Sequence, residues 1–272
     1  MNLKELNGPQ FDKIIKLLYN ICGIALDERK KILVSSRLQK RLRELELSNF
    51  DEYIDILDND VTGAELSAMV DALTTNVTGF FRELAHFELL KKIVLSRGFE
   101  ERQKLKIWSA GCSSGEEAYS IAITLCEVLG DFSLADVRIL ATDISTRMLS
   151  TAKAGVYERN DIKNVSLNFI KKYFRQCANP DPNHFSIKDF IRKIISFARL
   201  NLVGDWAMKG QFDVIFCRNV MIYFDRRVQE RLLERFWRIL MPGGYLFIGH
   251  SESLTVISHR FKYVCPGVYS KE

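Results

Sequence analysis

Gly111 and Gly115 stand four residues apart at the end of a short apolar run, in KIWSAGCSSGEEAYSIAITL (106–125), and Glu116 and Glu117 follow at once. Strand, glycine loop and helix in this order cradle nucleotides in many folds, although glycine serves such turns for geometry alone in many others. Phosphate cradles rely on backbone N–H groups and favour negative ligands. This loop lacks both the dehydrogenase pattern G-x-G-x-x-G and the phosphate loop G-x-x-x-x-G-K-[ST], and it contains no lysine. Its paired carboxylates would repel an anion. They suit a ligand that carries an ammonium and a sulfonium, and S-adenosylmethionine carries both.

Three further stretches fit that ligand. The run VRILATD places Asp143 at the carboxyl end of a second strand, where an acid can accept both ribose hydroxyls of an adenosine. By itself, Asp143 would also suit the cap of a helix beginning near Ser145. The run FDVIFCRNVMIYF (212–224) leads into a polar and aromatic loop. Arg218, Asn219 and Tyr223 would lie there, outside the carboxyl ends of the strands, where open α/β sheets bind ligands. LMPGGYLFIGH (240–250) reads as a helix stopped by Pro-Gly-Gly before an apolar strand. In that order, and ending in a hairpin, these pieces describe the fold of S-adenosylmethionine-dependent methyltransferases.

The elements that must position these residues fall into two textures. Residues 1–75 read as helices only. Phe11, Ile14, Ile15 and Leu18 share one helical face; Leu38, Leu42 and Leu45 mark a second helix; Phe50, Tyr53, Ile54 and Leu57 mark a third, with Ser48 as its cap. Thr62-x-x-Glu65 has the pattern of a capping box ahead of Leu66, Met69, Val70 and Leu73. TTNVTGFFRE (74–83) breaks the helical pattern, and a helix through Phe87, Leu90 and Val94 follows. Residues 76–104 therefore form a linker and helix. From Leu105 to the end, short β-branched and aromatic runs alternate with helical patterns at 116–129, 145–154 and 225–240. This predicts a doubly wound α/β domain over 105–272 with a parallel sheet. FKYVC and GVYSK flank Pro266-Gly267 and predict a terminal hairpin that makes one sheet edge antiparallel. Residues 173–197 carry turn residues (Asn179, Pro180, Asp181, Pro182, Asn183) between strand-like flanks and predict a small β-hairpin insertion.

Bulk properties exclude several classes. The 272 residues are 47% apolar and 27% charged, enough for one large domain or two smaller ones. No apolar run approaches the ~20 residues of a membrane span. MNLKELNGPQ is not an export signal. The six cysteines are scattered without a C-x-x-C pair, which predicts a reducing, cytoplasmic setting without a zinc site. His86, His184, His250 and His259 show no ligand spacing, so no metal is expected. The net charge of +5 is mild, and its distribution carries more information than its size.

Taken together, WSAGCSSGEEAYSIAI, LTTNVTGFFRE and FCRNVMIYF resemble the chemotaxis-receptor glutamate methyltransferases of the CheR type, over nearly the whole chain. Ser114 and Ala118 stand where that family usually has threonine and proline; alanine is well tolerated in a first helical turn, so binding should survive. The resemblance implies that Asn76, Thr78 and Arg82 reach from the helical domain over the cofactor. It implies that Glu117 holds the amino group of the methionine moiety or a neighbouring polar atom, and that Asp143 takes the ribose. Asn201 and Leu202 would flank the adenine, Arg218 and Asn219 would line the floor, and Tyr223 would stand near the transferred methyl. Arg82 and Tyr223 are the catalytic candidates. By themselves, Arg82 would suit a surface pair with Glu83 or Glu116, Tyr223 a place in the core, and Glu116 a solvated helix start. S-adenosylmethionine is the implied cofactor, and S-adenosylhomocysteine its product.

The implied substrates are glutamates on the helical cytoplasmic region of methyl-accepting receptors, with the enzyme a cytoplasmic monomer that neither inserts into the membrane nor binds nucleic acid. That gives a role to RKKILVSSRLQKRLR (29–43), which holds seven basic residues and no acidic one. Arg37, Lys40, Arg41 and Arg43 are its candidate docking residues; a solvated amphipathic face is the simpler account. An RNA methyltransferase with a basic appendage is the competing reading, weakened by the lack of interleaved aromatics in the patch. A non-catalytic module that senses S-adenosylmethionine is a third.

Overall fold

A computed structural model describes residues 5–96, 104–130, 136–177, 182–208 and 210–272. Its helical domain contains α1 (Gly8–Cys22), α2 (Lys31–Glu44), α3 (Phe50–Asp58) and α4 (Ala64–Leu73). A capping box starts α1: Asn7 accepts from the Gln10 N–H, and the Gln10 side chain accepts from the Asn7 N–H. The capping expectations for the next helices need correction. Asn49, not Ser48, caps α3, accepting from the Asp51 and Glu52 N–H groups. Gly63 starts α4, and the expected box fails because Glu65 is drawn across to Arg41 of α2 and Tyr53 of α3. Phe11, Ile14, Leu18, Leu38, Leu42, Tyr53, Met69 and Leu73 bury together as this domain's core.

After α5 (Leu84–Ser96) the second domain begins. It runs β1 (Lys104–Ala110), α6 (Glu116–Leu129), β2 (Asp136–Asp143), α7 (Thr146–Ala154), β3 (Val156–Glu158), α8 (Leu167–Tyr173), β4 (Phe174–Gln176), β5 (His184–Ile187), α9 (Asp189–Arg192) and β6 (Ile195–Arg199). It then continues through β7 (Phe212–Cys217), α10 (Arg226–Ile239), β8 (Leu240–Ile248), β9 (Lys262–Cys265) and β10 (Val268–Ser270). The main sheet has the order β6-β2-β1-β7-β8-β10-β9. Its first five strands are parallel, and the predicted hairpin β9–β10 supplies the antiparallel edge. The chain winds outward from β1 in both directions. The carboxyl ends of β1, β2 and β7 therefore meet at one crevice, the usual ligand position of such sheets.

Two expectations here are revised. Pro242-Gly243-Gly244 lies inside β8 rather than ahead of it; α10 has already ended at Ile239, and the pairing with β7 shifts register where the Pro-Gly-Gly falls. The insertion is a three-stranded antiparallel sheet, β3-β5-β4, that begins at Val156, earlier than the hairpin expected at 173–197. Ile195 and the residues after it belong to the main sheet instead, paired in parallel with β2. Asn179, Pro180 and Asp181 of the expected turn lie outside the described residues. Among the described residues, no helix is long and apolar enough to cross a membrane.

The domains are stitched together beside the crevice. Ile24, just after α1, forms an antiparallel bridge with Phe224, and the Ala25 N–H donates to the Tyr223 carbonyl at 3.0 Å. Thr146 at the start of α7 donates to Asp71 of α4 at 3.0 Å.

Candidate active site

The glycine loop is shaped by what it must pass. The Gly111 and Cys112 N–H groups donate to the Thr142 carbonyl, which folds the loop onto the end of β2. Gly111 has φ +88°, and a Cβ there would meet Val220 Cγ2 at 2.4 Å. Gly115 has φ +98° and would meet Ala152 Cβ at 2.9 Å. Glycine at both positions therefore permits close approach as well as a conformation that side chains disfavour.

Asp143 stands at the crevice from the end of β2 and is not the cap of α7. Its Oδ2 accepts from the Ser113 N–H at 2.8 Å and its Oδ1 from the Ser145 N–H at 2.9 Å, while the residue faces the crevice. Ser145 itself caps α7 by accepting from the Met148 N–H. Burial raises the Asp143 carboxyl above its ordinary range, and these N–H donors oppose the rise.

Glu117 projects from the first turn of α6 into the same crevice. Ser109 donates to its Oε1 at 2.7 Å, and Arg218 Nη1 stands 3.2 Å from its Oε2. Burial raises its pKa, partly offset by Arg218. Its neighbour is not the solvated acid the sequence suggested: Glu116 is 7% exposed and accepts the Ser114 hydroxyl at 2.8 Å, away from the crevice.

Arg218, its side chain 2% exposed, is the buried cation of the floor. Besides Glu117 it reaches Glu83 Oε2 at 3.0 Å and donates to the Arg82 carbonyl. It thereby ties the end of β7 to the segment between α4 and α5. That segment lies across the glycine loop. The Ser113 hydroxyl donates to the Asn76 carbonyl at 3.0 Å, and the Phe81 N–H donates to the Ser120 hydroxyl at 2.9 Å. Arg82 is exposed at the rim, and its guanidinium donates to the Val77 carbonyl at 3.1 Å rather than to Glu83 or Glu116.

A cavity of about 440 Å³ results, a size typical of small-molecule sites. Asn76, Thr78, Arg82, Glu117 and Asp143 line it, as do Asn201, Leu202, Arg218, Asn219 and Tyr223. Every residue expected to hold the cofactor or act in catalysis is thus brought to one wall or another. Asn201 contributes less freely than expected, because its Nδ2 donates to the Ile21 carbonyl at 2.5 Å and its Oδ1 accepts from the Val203 N–H. Leu202 is buried and also packs in the core. Among the described residues, four of the five non-glycine residues with positive φ (Phe81, Glu83, Ser113, Asn219; Glu46 is the fifth) stand in the loops that form the site. Backbone strain of this kind concentrates at functional sites.

The docking quartet of α2 is divided. Arg37 donates to the Leu73 and Thr74 carbonyls at 2.8 and 3.0 Å, closing the end of α4 beneath the cavity. Arg41 pairs with Glu65 and Glu44. Only Lys40 and Arg43 keep the open exposure that the sequence expected of all four.

One cluster escaped the sequence. Glu83 Oε2 stands 3.4 Å from His86 Nδ1 and 3.9 Å from His250 Nε2, with Arg218 Nη2 closer at 3.0 Å. The histidines are 164 positions apart, so no local spacing announced them. Arg218 already supplies the cation that this carboxylate faces, so the cluster is an ion-paired group. Burial pushes the His86 pKa down to about 4, and Arg218 adds to the fall. Burial alone would raise Glu83, but Arg218 and the His250 N–H bring it below its ordinary value.

The donor set suits S-adenosylmethionine, whose two cationic groups and one carboxylate leave it net positive. Glu117 and Asp143 offer carboxylates to its cationic groups, while Arg37, Arg82 and Arg218 also line the cavity and suit its carboxylate. Residues 9–74 match the family described as CheR methyltransferase, all-alpha domain, and residues 76–268 match CheR methyltransferase, SAM binding domain. The chain is 43% identical over 261 residues to chemotaxis protein methyltransferase 2 of Pseudomonas aeruginosa, covering 96% of this chain and 92% of the relative. It is 38% identical to the chemotaxis protein methyltransferase of Escherichia coli, over 97% and 91% of the two chains. The Borreliella burgdorferi protein of that name is also 38% identical, over 98% and 95%. With two family domains spanning the cavity and its walls, the chain belongs to the CheR methyltransferases, which use S-adenosylmethionine in chemotaxis.

Proposed function

We propose that this enzyme esterifies glutamate side chains on the helical cytoplasmic region of chemotaxis receptors. The observation that carries this reading is the convergence on one cavity of two carboxylates (Glu117, Asp143) with the side chains of Arg82 and Tyr223. Bound S-adenosylmethionine supplies an electrophilic methyl group on its sulfonium. Asp143 holds the ribose hydroxyls, Glu117 the ammonium or a neighbouring polar atom, and Leu202 with Asn201 flanks the adenine.

A glutamate carboxylate, with an ordinary pKa of about 4.3, is ionised at neutral pH and needs no general base. The protein's task is to strip water from a weak nucleophile and hold it in one orientation, an effect that can supply roughly 7–11 kcal/mol. Arg82 is exposed and only loosely engaged with Val77, so it can turn its guanidinium to an incoming carboxylate. A tight pair would stabilise the ground state; a loose one, with Tyr223 orienting the other side, favours the transition state. Lys40 and Arg43 then guide an acidic helix toward the rim.

Incubation with methyl-labelled cofactor and receptor-containing membranes tests the proposal. Base-labile label on a receptor-sized protein supports carboxyl esters. Base-stable label, or label in RNA, overturns the reading.

A further inference from the structure

Between β7 and α10 the chain makes a turn in which four successive N–H groups converge on one acceptor. Asn219, Val220, Met221 and Ile222 follow one another, Asn219 at φ +58° and Met221–Tyr223 in a single 3₁₀ turn. At the start of such a turn these N–H groups have no carbonyl of their own to meet, and buried orphans are costly. Glu252 meets them. Its Oε2 accepts from the Asn219 N–H at 2.8 Å and from the Gly249 N–H at 2.6 Å. Its Oε1 accepts from Val220 at 3.0 Å, Met221 at 2.8 Å and Ile222 at 3.3 Å. This is a small anion-binding concavity closed by a side chain from 30 residues further on.

The same stretch reaches the other wall. His250, next to Gly249, donates its N–H to Glu83 Oε1 at 3.2 Å. A Cβ at position 249 would meet Asn219 Nδ2 at 2.4 Å and Asn219 N at 2.9 Å, so glycine is what lets the two turns touch. Glu252 and Gly249 do not themselves line the cavity, whereas Asn219, Ile222 and Tyr223 do.

We infer that Glu252 is a positioning residue for methyl transfer: it clamps the turn that carries Asn219 and Tyr223, with Gly249 permitting the close approach. The inference rests on the proposed place of Tyr223 at the reacting end. A carboxylate suits the five N–H groups because both of its oxygens accept and neither donates. Glutamine would turn an NH₂ group toward at least one of the N–H groups and push the turn away.

The test compares Glu252→Gln and Glu252→Asp with wild type, using full-length enzyme, receptor membranes and labelled cofactor. Loss of one charge-assisted contact corresponds to roughly a tenfold to hundredfold effect, and that fall in kcat is expected for Glu252→Gln at saturating cofactor and receptor. Affinity for S-adenosylhomocysteine, read by calorimetry, should change less than kcat, because Asp143 and Glu117 stay in place and Asn219 alone of the cofactor's expected partners is disturbed. Introduced into Tyr223→Phe, Glu252→Gln should cost far less than it does alone, since the clamp would have less to position. Glu252→Asp keeps the charge and should fall between the two; it decides the matter if the glutamine variant does not fold. A folded variant with wild-type kcat overturns the inference. So does a loss that adds fully to that of Tyr223→Phe, or one that appears only as weaker cofactor binding. If wild type itself methylates no receptor, the substrate reading has failed instead.

Discussion

The Ser113 N–H donates to the Asp143 carboxylate at 2.8 Å, joining the glycine loop after β1 to the end of β2. The two features that the sequence offered as separate evidence for a nucleoside ligand are one hydrogen-bonded unit. Each Asp143 oxygen that accepts a backbone N–H keeps a further lone pair for a ribose hydroxyl.

Asp143→Ala should therefore do two things. Losing a charge-assisted ribose contact of roughly 1.5–3 kcal/mol weakens cofactor binding about tenfold or more. Freeing the Ser113 and Ser145 N–H groups loosens the loop as well. Calorimetry with S-adenosylhomocysteine should show the weaker affinity, and thermal melting without ligand should show a lower Tm. A lower Tm with unchanged affinity would reduce Asp143 to a local cap.

Arg82 and Glu117 should separate by kinetics. Arg82 is exposed at the rim, so Arg82→Ala should cut turnover even at saturating cofactor. Glu117→Gln removes a buried anion facing the cavity and leaves Arg218 with Glu83 alone, so it should chiefly weaken cofactor binding. An Arg82→Ala variant that loses only cofactor affinity would make Arg82 a cofactor ligand.

The divided face of α2 changes which substitutions test receptor docking. Lys40→Glu with Arg43→Glu should raise the KM for receptor without altering cofactor affinity. Higher ionic strength should narrow the gap from wild type, because exposed charges act at long range and are screened. Arg41→Glu should instead lower Tm, since Arg41 holds Glu65 of α4. Steady-state rates at two salt concentrations, set beside melting curves, distinguish docking from structure. A wild-type KM for the Lys40 and Arg43 double variant removes docking from this face.

Cofactor binding should weaken on acidification. Burial raises Glu117 and Asp143 above their ordinary carboxylate pKa values, so in the free enzyme they begin to take up protons at a higher pH than exposed acids do. A net cationic ligand favours their ionised forms and lowers those pKa values again. Binding in that window should therefore release protons, and affinity should fall as pH drops through it. Calorimetry in buffers of differing ionisation enthalpy reads the proton release directly. Asp143→Asn and Glu117→Gln should each diminish it.

Local pattern alone determined the helical first domain, the alternating second domain, the terminal hairpin and the loop that begins α6. Apolar periodicity, glycine at positive φ and helix-start residues such as Asp225 act within a few residues, so they are written into adjacent positions. Loop and strand-end positions offered Glu117, Asp143, Arg218, Asn219 and Tyr223 for the cavity, and family resemblance added Asn76, Thr78, Arg82, Asn201 and Leu202. Tertiary structure decided which charges are available. Arg37 and Arg41 look like part of an open basic face until α4 brings Leu73, Thr74 and Glu65 against them. Glu116 and Glu117 are adjacent in sequence, yet helical rotation sends one to Ser114 and the other to Arg218. Glu83, His86 and His250 meet only because β8 ends beside the segment that crosses the glycine loop. Glu252 looks like a polar residue in a loop until the Asn219 turn folds against it. Charge and hydrogen-bond pairing depend on distances of a few ångströms between segments far apart in the chain, and only the packed fold sets those distances.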